Sequence, residues 1–439
     1  MTATLPPTPP TPPTPTLPPT PTRPVFRLPA MSSGMLAASL ALATMAMLAA
    51  ARVITHAPAL TGSGTFGAAI GLAIPVAMAG LGGLIAERAG IINIGLQGMM
   101  ALGTWGAGFF GWHFGPWGAL FGGAFMGALG GALHALTTIT FNVDHAVSGV
   151  AINLLAPGVT RFLSSILFAG KEGGTLTDSP PVGHLPRVTL PILAGGRIGS
   201  WRSPDPLGWL ERHQWFLVSD VASLLRGVTR DVAVETILML ALIPLVGYVI
   251  WRTPVGLRLR SSGEKPSAAD SLGVNVIAIR WAAVVASGAF SGLGGAWLVT
   301  NVGKYQQGQE GLRGFLGLAA VIVGNWRPVG MFVGALLFQF AEAVRPQVGD
   351  APARAFVLAV AFGLVAVAVW QFSRRATTAG GVVVASAVGV LVYYVTASRV
   401  DDKLTATFPY LITLLVLLFS SERLRPPAAS GQPWSKGSG

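Results

Sequence analysis

The sequence predicts an all-α, polytopic membrane protein, and two observations support this. Hydrophobic residues make up 52% of the 439 residues and charged residues only 10%, whereas a soluble domain carries about 25% charged residues. Uncharged apolar runs recur along the chain, and at about 20 residues each is long enough to cross a hydrocarbon core about 30 Å thick. Since lipid offers no hydrogen bonds to the backbone, these runs are expected to be helices.

The basic residues follow the apolar runs. The net charge is +12, but most Lys and Arg residues stand at the ends of apolar segments, where a cytoplasmic bias and anionic lipid headgroups favour them. The charge therefore indicates contact with membrane lipid and does not indicate nucleic acid. The chain has no cysteine, which excludes disulfides and thiolate metal sites.

Residues 1–30 contain twelve prolines among threonines. Such a composition predicts a disordered, polyproline-like tail. Arg23 and Arg27 precede the first apolar run, which favours a cytoplasmic N-terminus. Residues 31–425 are predicted to form the transmembrane domain, and residues 426–439 a second disordered tail.

The apolar runs predict 10–12 spanning helices, and the segment at 314–326 is short enough to be broken or re-entrant. If all candidates cross, residues 169–232 form a long outer loop, whereas both termini and residues 252–280 are cytoplasmic. The candidates cover residues 33–54, 64–86, 91–112, 115–140, 146–168, 233–251, 281–302, 314–326, 328–345, 353–372, 380–398 and 407–421.

The basic loop 252–280 contains the signals of a very short helix. Pro266 suits a first helical position, and Gly273 can adopt the left-handed conformation that ends a helix. A helix this short is unstable alone, so it must pack against another surface. An ordinary loop held by its own neighbours is an equally good interpretation of the pattern. The apolar face for a partner would consist of Ala268, Ala269 and Leu272.

Glycines recur every four residues in two of the predicted helices. The first set is Gly123, Gly127 and Gly131, and the second is Gly288 and Gly292. Small residues at this spacing let helix backbones approach closely in lipid. We therefore expect these glycines to pack helices together.

No catalytic motif is apparent in the sequence. No lysine is followed directly by Ser or Thr, so the chain lacks a P-loop and is not expected to hydrolyse nucleotide by that route. The histidines show no i, i+4 pair, so a metal site is not expected. An integral membrane enzyme would need titratable groups converging at one depth, and the sequence does not indicate them.

Polar side chains inside the apolar runs are the candidate pathway residues, because they are costly in lipid and tend to face a pathway or another helix. Asn93 and Gln97 are four residues apart, which would place them on one helical face. Asn153 lies in the fifth run, and Gln339 and Glu342 lie three apart in the ninth. They can bind a polar solute or join helices. Few carboxylates lie in the runs, which disfavours an ion-coupled carrier.

Four strings of the sequence resemble the integral-membrane permeases of ABC importers. The similarity favours the nucleoside branch, which is related to permeases for simple sugars and branched-chain amino acids. The strings are ERAGIINIGLQGMMALGTW (87–105), GLRLRSSGEKPSAADSLGVNV (256–276), GLRGFLGLAAVIVGNWRPVG (311–330) and FPYLITLLVLLF (408–419).

This resemblance implies an ABC importer permease fold, in which loop 252–280 couples the chain to a separate ATPase subunit. It also implies a second permease chain, usually a different one, an extracytoplasmic substrate-binding protein, and a location in the plasma (inner) membrane. ATP would be used by the ATPase subunit, and this chain would bind no cofactor. The implied coupling residues are Gly263, Glu264, Pro266, Ala268, Ala269, Leu272 and Gly273.

Three features depart from the family pattern. Gln97 stands where the family usually has Glu, residues 353–398 look like two inserted spans, and the 169–232 loop is unusually long. We expect a permease for nucleosides or similar small polar solutes. A permease for sugars or branched-chain amino acids is the first alternative, and an ion-coupled carrier is the second.

Overall fold

The computed structural model describes residues 33–344, 350–373, 377–397, 407 and 424–435. The described part of residues 1–43 is the beginning of α1, and all contacts below lie within residues 44–439. The helices are α1 (Ser33–Thr55), α2 (Ser63–Arg88), α3 (Leu96–Ala135), α4 (His145–Leu167), α5 (Pro206–Arg212), α6 (Val218–Thr229), α7 (Val234–Arg252), α8 (Pro254–Glu264), α9 (Pro266–Ser271), α10 (Val276–Val302), α11 (Arg313–Val323), α12 (Pro328–Val344), α13 (Asp350–Ser373) and α14 (Thr377–Thr396).

The predicted all-α class is confirmed. Six helical segments among the described residues are long and apolar enough to cross a membrane, namely α2, α3 with the π-helical turn that follows it, α4, α7, α10 and α13. The chain is therefore a multi-pass membrane protein. The tail 1–30 and almost all of the predicted last span, 407–421, lie outside the described residues. The two short antiparallel strand pairs are β1 (Arg187–Val188) with β4 (Val232–Ala233), and β2 (Arg197–Ile198) with β3 (Trp201–Arg202).

Helix α2 lies at the centre of the bundle. Every residue from Ala73 to Glu87 is buried, and α10, α11 and α12 pack around it. Its sequence is rich in Ala and Gly, and small side chains allow neighbouring helices to approach on all sides. This explains why α2 shows no polar face.

Helix α3 reverses direction in its middle. Gly115 has φ 72° and ψ −174°, a conformation that side chains disfavour. A Cβ atom placed on Gly106 would lie 2.5 Å from the carbonyl oxygen of Gly122, so the two arms, 96–114 and 116–135, lie side by side. They correspond to the third and fourth predicted spans.

The second arm of α3 packs closely against α10, as the glycine spacing predicts. A Cβ atom on Gly127 would lie 2.3 Å from the carbonyl oxygen of Gly288, and one on Gly292 would lie 2.1 Å from that of Gly123. No side chain fits between the two backbones. The predicted packing role of these glycines is confirmed.

Residues 169–232 and 252–280 lie at opposite ends of α2. At its beginning, the backbone N–H of Ser63 donates to Oε1 of Glu211 at 2.8 Å. At its end, Nη1 of Arg88 lies 3.9 Å from Oε1 of Glu264. Since 26 helical residues span about 39 Å, the two segments are separated by the thickness of a membrane. We call them the outer segment (169–232) and the coupling loop (252–280), after the positions and roles that the sequence analysis predicts for them.

Ion pairs hold the outer segment together. Arg226 donates to Asp205 and to Glu211, in each case at 2.7 Å. Partial burial alone would raise the pKa of Asp205, but the hydrogen bonds from Arg226 and from the backbone N–H of Gly208 lower it below its ordinary value. Asp205 therefore stays ionised at neutral pH. The contacts of Arg226 hold together the part of the outer segment that packs against the beginning of α2.

Candidate functional site

Residues 91–95 form a buried break between α2 and α3. Asn93 is fully buried in this non-helical stretch, and α3 begins only at Leu96. The expectation that Asn93 and Gln97 share one helical face is therefore wrong. Asn93 donates through Nδ2 to Oγ of Ser287 at 2.8 Å, and Ser291 donates to the carbonyl oxygen of Leu96 at 2.7 Å. These serines therefore attach the break and the first residue of α3 to α10.

Gln97 joins the beginnings of two helices. Its Nε2 donates to the carbonyl oxygen of Gly311 at 2.7 Å, and its Oε1 accepts from the backbone N–H of Gly314 at 2.9 Å. Gly311 precedes α11 and Gly314 lies in its first turn. Both ends of the Gln97 amide are thus used within the chain.

Asn153 of α4 supports the beginning of α3 in a similar way. Its Oδ1 accepts from the backbone N–H of Gly98 at 2.7 Å, and its Nδ2 donates to the carbonyl oxygen of Ile94 at 3.0 Å. The first N–H groups of a helix have no partner within the helix. Asn153 supplies one, so its observed role is to cap α3.

Helix α11 completes a broken crossing. Its eleven residues are about 16 Å long, roughly half of a hydrocarbon core. The backbone N–H of Gln307, which precedes α11, donates to the carbonyl oxygen of Thr177 in the outer segment at 2.8 Å. Beyond α11, the indole N–H of Trp326 donates to Glu87 near the other end of α2. The chain therefore enters at one face and leaves at the other, and the segment predicted at 314–326 is not re-entrant.

The last two predicted pathway residues differ from each other. Glu342 accepts through Oε1 from Nη2 of Arg313 at 3.0 Å, so it contacts the same α11 beginning as Gln97. Gln339 is fully buried, and among the described residues neither its Oε1 nor its Nε2 has a hydrogen-bond partner. Gln97 and Glu342 thus both contact the beginning of α11. Asn93 and Asn153 lie at the beginning of α3. Gln339 makes no hydrogen bond with any of these four residues in the described part of the chain.

We expect replacement of Gln97 by leucine to lower the melting temperature of the purified protein. The variant leaves the N–H of the buried Gly314 without its partner, which costs about 1–3 kcal/mol, whereas water can replace the amide at the exposed carbonyl oxygen of Gly311. Gln97→Glu keeps the acceptor for Gly314 and should lose less. Thermal unfolding in detergent measures the melting temperatures, which should fall from the wild type through Gln97→Glu to Gln97→Leu. If Gln97→Leu melted like the wild type but lost transport, Gln97 would be a solute contact and the capping role would be wrong.

The coupling loop contains the short helix that the sequence predicts. Helix α9 begins at Pro266, and Gly273 follows it with φ 82°. Leu272 is 83% exposed, and Ala268 and Gly273 are also exposed. The side of α9 with these three residues is therefore not covered by the described part of this chain.

Two of the predicted coupling residues face inward. Ala269 is only 3% exposed, so it does not belong to a free apolar face and that part of the prediction is wrong. A Cβ atom on Gly263 would lie 2.3 Å from the carbonyl oxygen of Arg88, so Gly263 packs against the end of α2. The exposed surface consists of Ala268, Leu272 and Gly273, with Glu264 and Pro266 at its edge.

Residues 424–435 lie against the coupling loop. The backbone N–H of Ala429 donates to the carbonyl oxygen of Gly263 at 2.8 Å, and the indole N–H of Trp434 donates to Oγ of Ser267 at 3.3 Å. The sequence predicted disorder from residue 426, whereas the structure gives Ala429 and Trp434 hydrogen bonds to the loop. The remaining domain boundaries stay predictions.

Two adjoining cavities lie at the opposite end, between the outer segment and helices α2, α7 and α10. Their volumes are about 540 and 340 Å³. Arg187, Ala233 and Asn301 line both cavities. The smaller cavity is also lined by Glu235, which the sequence analysis missed. The signal that could have identified Glu235 was an acidic residue at the third position of the apolar run 233–251.

Broken helices inside a bundle of spanning segments, with polar groups at the breaks, are typical of membrane transport proteins. A family model described as the branched-chain amino acid transport system permease component matches residues 65–369. The chain belongs to this family of ABC transporter permeases. The match includes most of α13, which the sequence analysis assigned to an insertion.

Three curated relatives show the range of the similarity. The chain is 33% identical to a nucleoside ABC transporter permease of Lactococcus lactis, NupC, over 63% of this chain and 80% of the relative. It is 34% identical to the guanosine permease NupQ of Bacillus subtilis, over 62% and 78%. It is 29% identical to a putative glucose permease of Haloferax volcanii, TsgC13, over 85% and 98%. No solved structure matches the chain.

Proposed function

We propose that this chain forms the translocation pathway of an ABC importer for nucleosides. Two of the relatives described above are named as nucleoside and guanosine permeases, and this supports the solute class. The plasma membrane is the proposed location.

Coupling to a separate ATPase is proposed for helix α9. The observation that carries it is the 83% exposed Leu272 on a six-residue helix at the end of the bundle opposite the outer segment. One side of α9 packs against this chain, which leaves the side with Ala268, Leu272 and Gly273 free for a partner. The permease family supports an ATPase subunit as that partner. ATP would be used there, and this chain would bind and hydrolyse none.

The proposed orientation places the coupling loop and the C-terminal segment 424–435 in the cytoplasm, together with the N-terminus. Arg252, Arg258 and Arg260 lie on this loop, as the positive-inside bias favours. The outer segment would then receive solute from a substrate-binding protein. A second permease chain, as in the family, would complete the complex.

The proposed mechanism is alternating access. Closure of the ATPase would push α9. Helix α9 is connected to α7 through α8 and is followed directly by α10, so the push would reach both spanning helices. The half-length helix α11 and the break before α3 would open and close around the solute, while the glycine-packed α3 and α10 move as one unit. Such coupling requires the open and the closed ATPase to favour different conformations of the permease.

A sugar permease is the second candidate, because the putative glucose permease of Haloferax volcanii aligns with 85% of this chain. The test is uptake into proteoliposomes that contain the full chain with its ATPase, second permease and binding protein. We expect ATP-dependent uptake of guanosine in preference to glucose and leucine. Uptake by the purified chain alone, driven by an ion gradient, would contradict the proposal and indicate a secondary carrier.

A further inference from the structure

Glu235 is a buried carboxylate with a free oxygen. The residue is 2% exposed, and its Oε1 accepts from Oγ1 of Thr300 at a long 3.4 Å. Its Oε2 has no hydrogen-bond partner among the described residues. Burying a carboxylate oxygen without a partner is costly, so the unmet acceptor in the 340 Å³ cavity points to a ligand that donates hydrogen bonds.

The neighbours of Glu235 limit the charge of that ligand. Arg187, the cation in this cavity's lining, donates to Oδ2 of Asp231 at 2.8 Å. Nδ1 of His184 donates a hydrogen bond to the carbonyl oxygen of Thr300 at 2.9 Å. An ionised carboxylate accepts hydrogen bonds and donates none. Its negative charge also repels an anion. In the lining of the smaller cavity Arg187 is already paired, so no free arginine stands beside Glu235 there to bind a carboxylate.

The adjoining cavity has room for the rest of a small solute. Its volume is about 540 Å³, within the range of about 300–1,000 Å³ that is usual for ligand pockets. Asn301 belongs to both cavities and is exposed. Its amide can donate to a hydroxyl oxygen while that hydroxyl donates to Glu235. Trp297 and Gly71 give the larger cavity an apolar wall.

We propose that Glu235 and Asn301 bind neighbouring hydroxyl groups of the sugar portion of the solute at the outer end of the bundle. The inference rests on the proposed transport function and deepens it. Two adjacent hydroxyls offer two donors to a carboxylate and two acceptors to an amide, which matches the two side chains. Nucleosides and free sugars both carry such a pair, so the shared chemistry is the vicinal diol.

The test compares solutes with and without the diol in the reconstituted complex. Competition against uptake is measured in the wild type, Glu235→Ala and Glu235→Gln for guanosine and for 2′,3′-dideoxyguanosine, which lacks the diol, and uptake of glucose is measured in parallel. We expect the wild type to discriminate against the deoxy analogue by about tenfold or more, the value of one hydrogen bond to a charged group. Glu235→Ala should reduce this ratio to near one. The control, Glu172→Ala on the exposed part of the outer segment, should keep it.

The readout is a ratio, so it does not depend on how much protein folds. Glu235→Gln preserves the size of the side chain and guards against collapse of the cavity. If the wild type takes up leucine but neither guanosine nor glucose, the proposed function fails and the inference fails with it. If the wild type prefers the diol and both Glu235 variants keep the same ratio, only the role of Glu235 is overturned.

Discussion

Leu272→Arg is expected to reduce ATP-driven uptake at least tenfold while the protein remains folded. Leu272 is 83% exposed, so the substitution leaves the packing of this chain unchanged. In the proposed complex it replaces an apolar contact with an unpaired charge at the ATPase surface. Losing the burial of a leucine costs about 1.5–3 kcal/mol, and burying an unpaired charge costs more.

Uptake in proteoliposomes and co-purification of the ATPase measure this effect. The matched control is Leu176→Arg, which introduces the same charge at a 52% exposed leucine in the outer segment and should retain co-purification of the ATPase. Ala269→Arg is a poor test, because Ala269 is 3% exposed and the variant would disturb the chain itself. Wild-type uptake by folded Leu272→Arg would count against the docking role of α9.

Gly292→Ala is expected to destabilise the whole bundle. The added Cβ atom would lie 2.1 Å from the carbonyl oxygen of Gly123, and neither backbone can yield without separating α10 from α3. Overpacking of this kind costs about 1–3 kcal/mol, and more where backbone must shift. We expect a lower yield of folded protein and a clearly lower melting temperature in detergent.

The matched control is Gly158→Ala in α4. A Cβ atom there would meet no atom within 4 Å, and alanine favours a helix by about 1 kcal/mol relative to glycine. Its melting temperature should therefore equal or exceed that of the wild type. Equal melting temperatures for Gly292→Ala and Gly158→Ala would mean that the two helices are not packed as described.

Local signals predicted α9 well. The ring of Pro266 fixes φ near the helical value, and Gly273, which has no Cβ atom, permits the positive φ that ends the helix. The beginning and end of this helix therefore follow from the residues themselves. The face that the helix exposes could not be predicted, because it depends on which side lies against α8 and α10. Ala269 proved to be buried and Leu272 exposed for that reason.

The pathway residues show the same limit. A polar side chain in an apolar run predicts a partner without identifying it, and the partners of Gln97 are more than 200 residues away in the sequence. The periodicity also placed Asn93 on a helix, whereas the break at 91–95 depends on serines of α10. Glu235 was missed because an acidic residue at the edge of an apolar run usually faces water.

The sequence by itself determined that this chain crosses the membrane many times, that its glycine-rich helices pack closely, and that a short capped helix interrupts the loop 252–280. These properties depend on hydropathy, side-chain size and backbone angles, which are local. Only the tertiary structure decided where helices break, which amides cap them and which carboxylate lacks a partner. Those outcomes depend on contacts between distant segments, because a buried polar group must find its hydrogen bond wherever the fold supplies one.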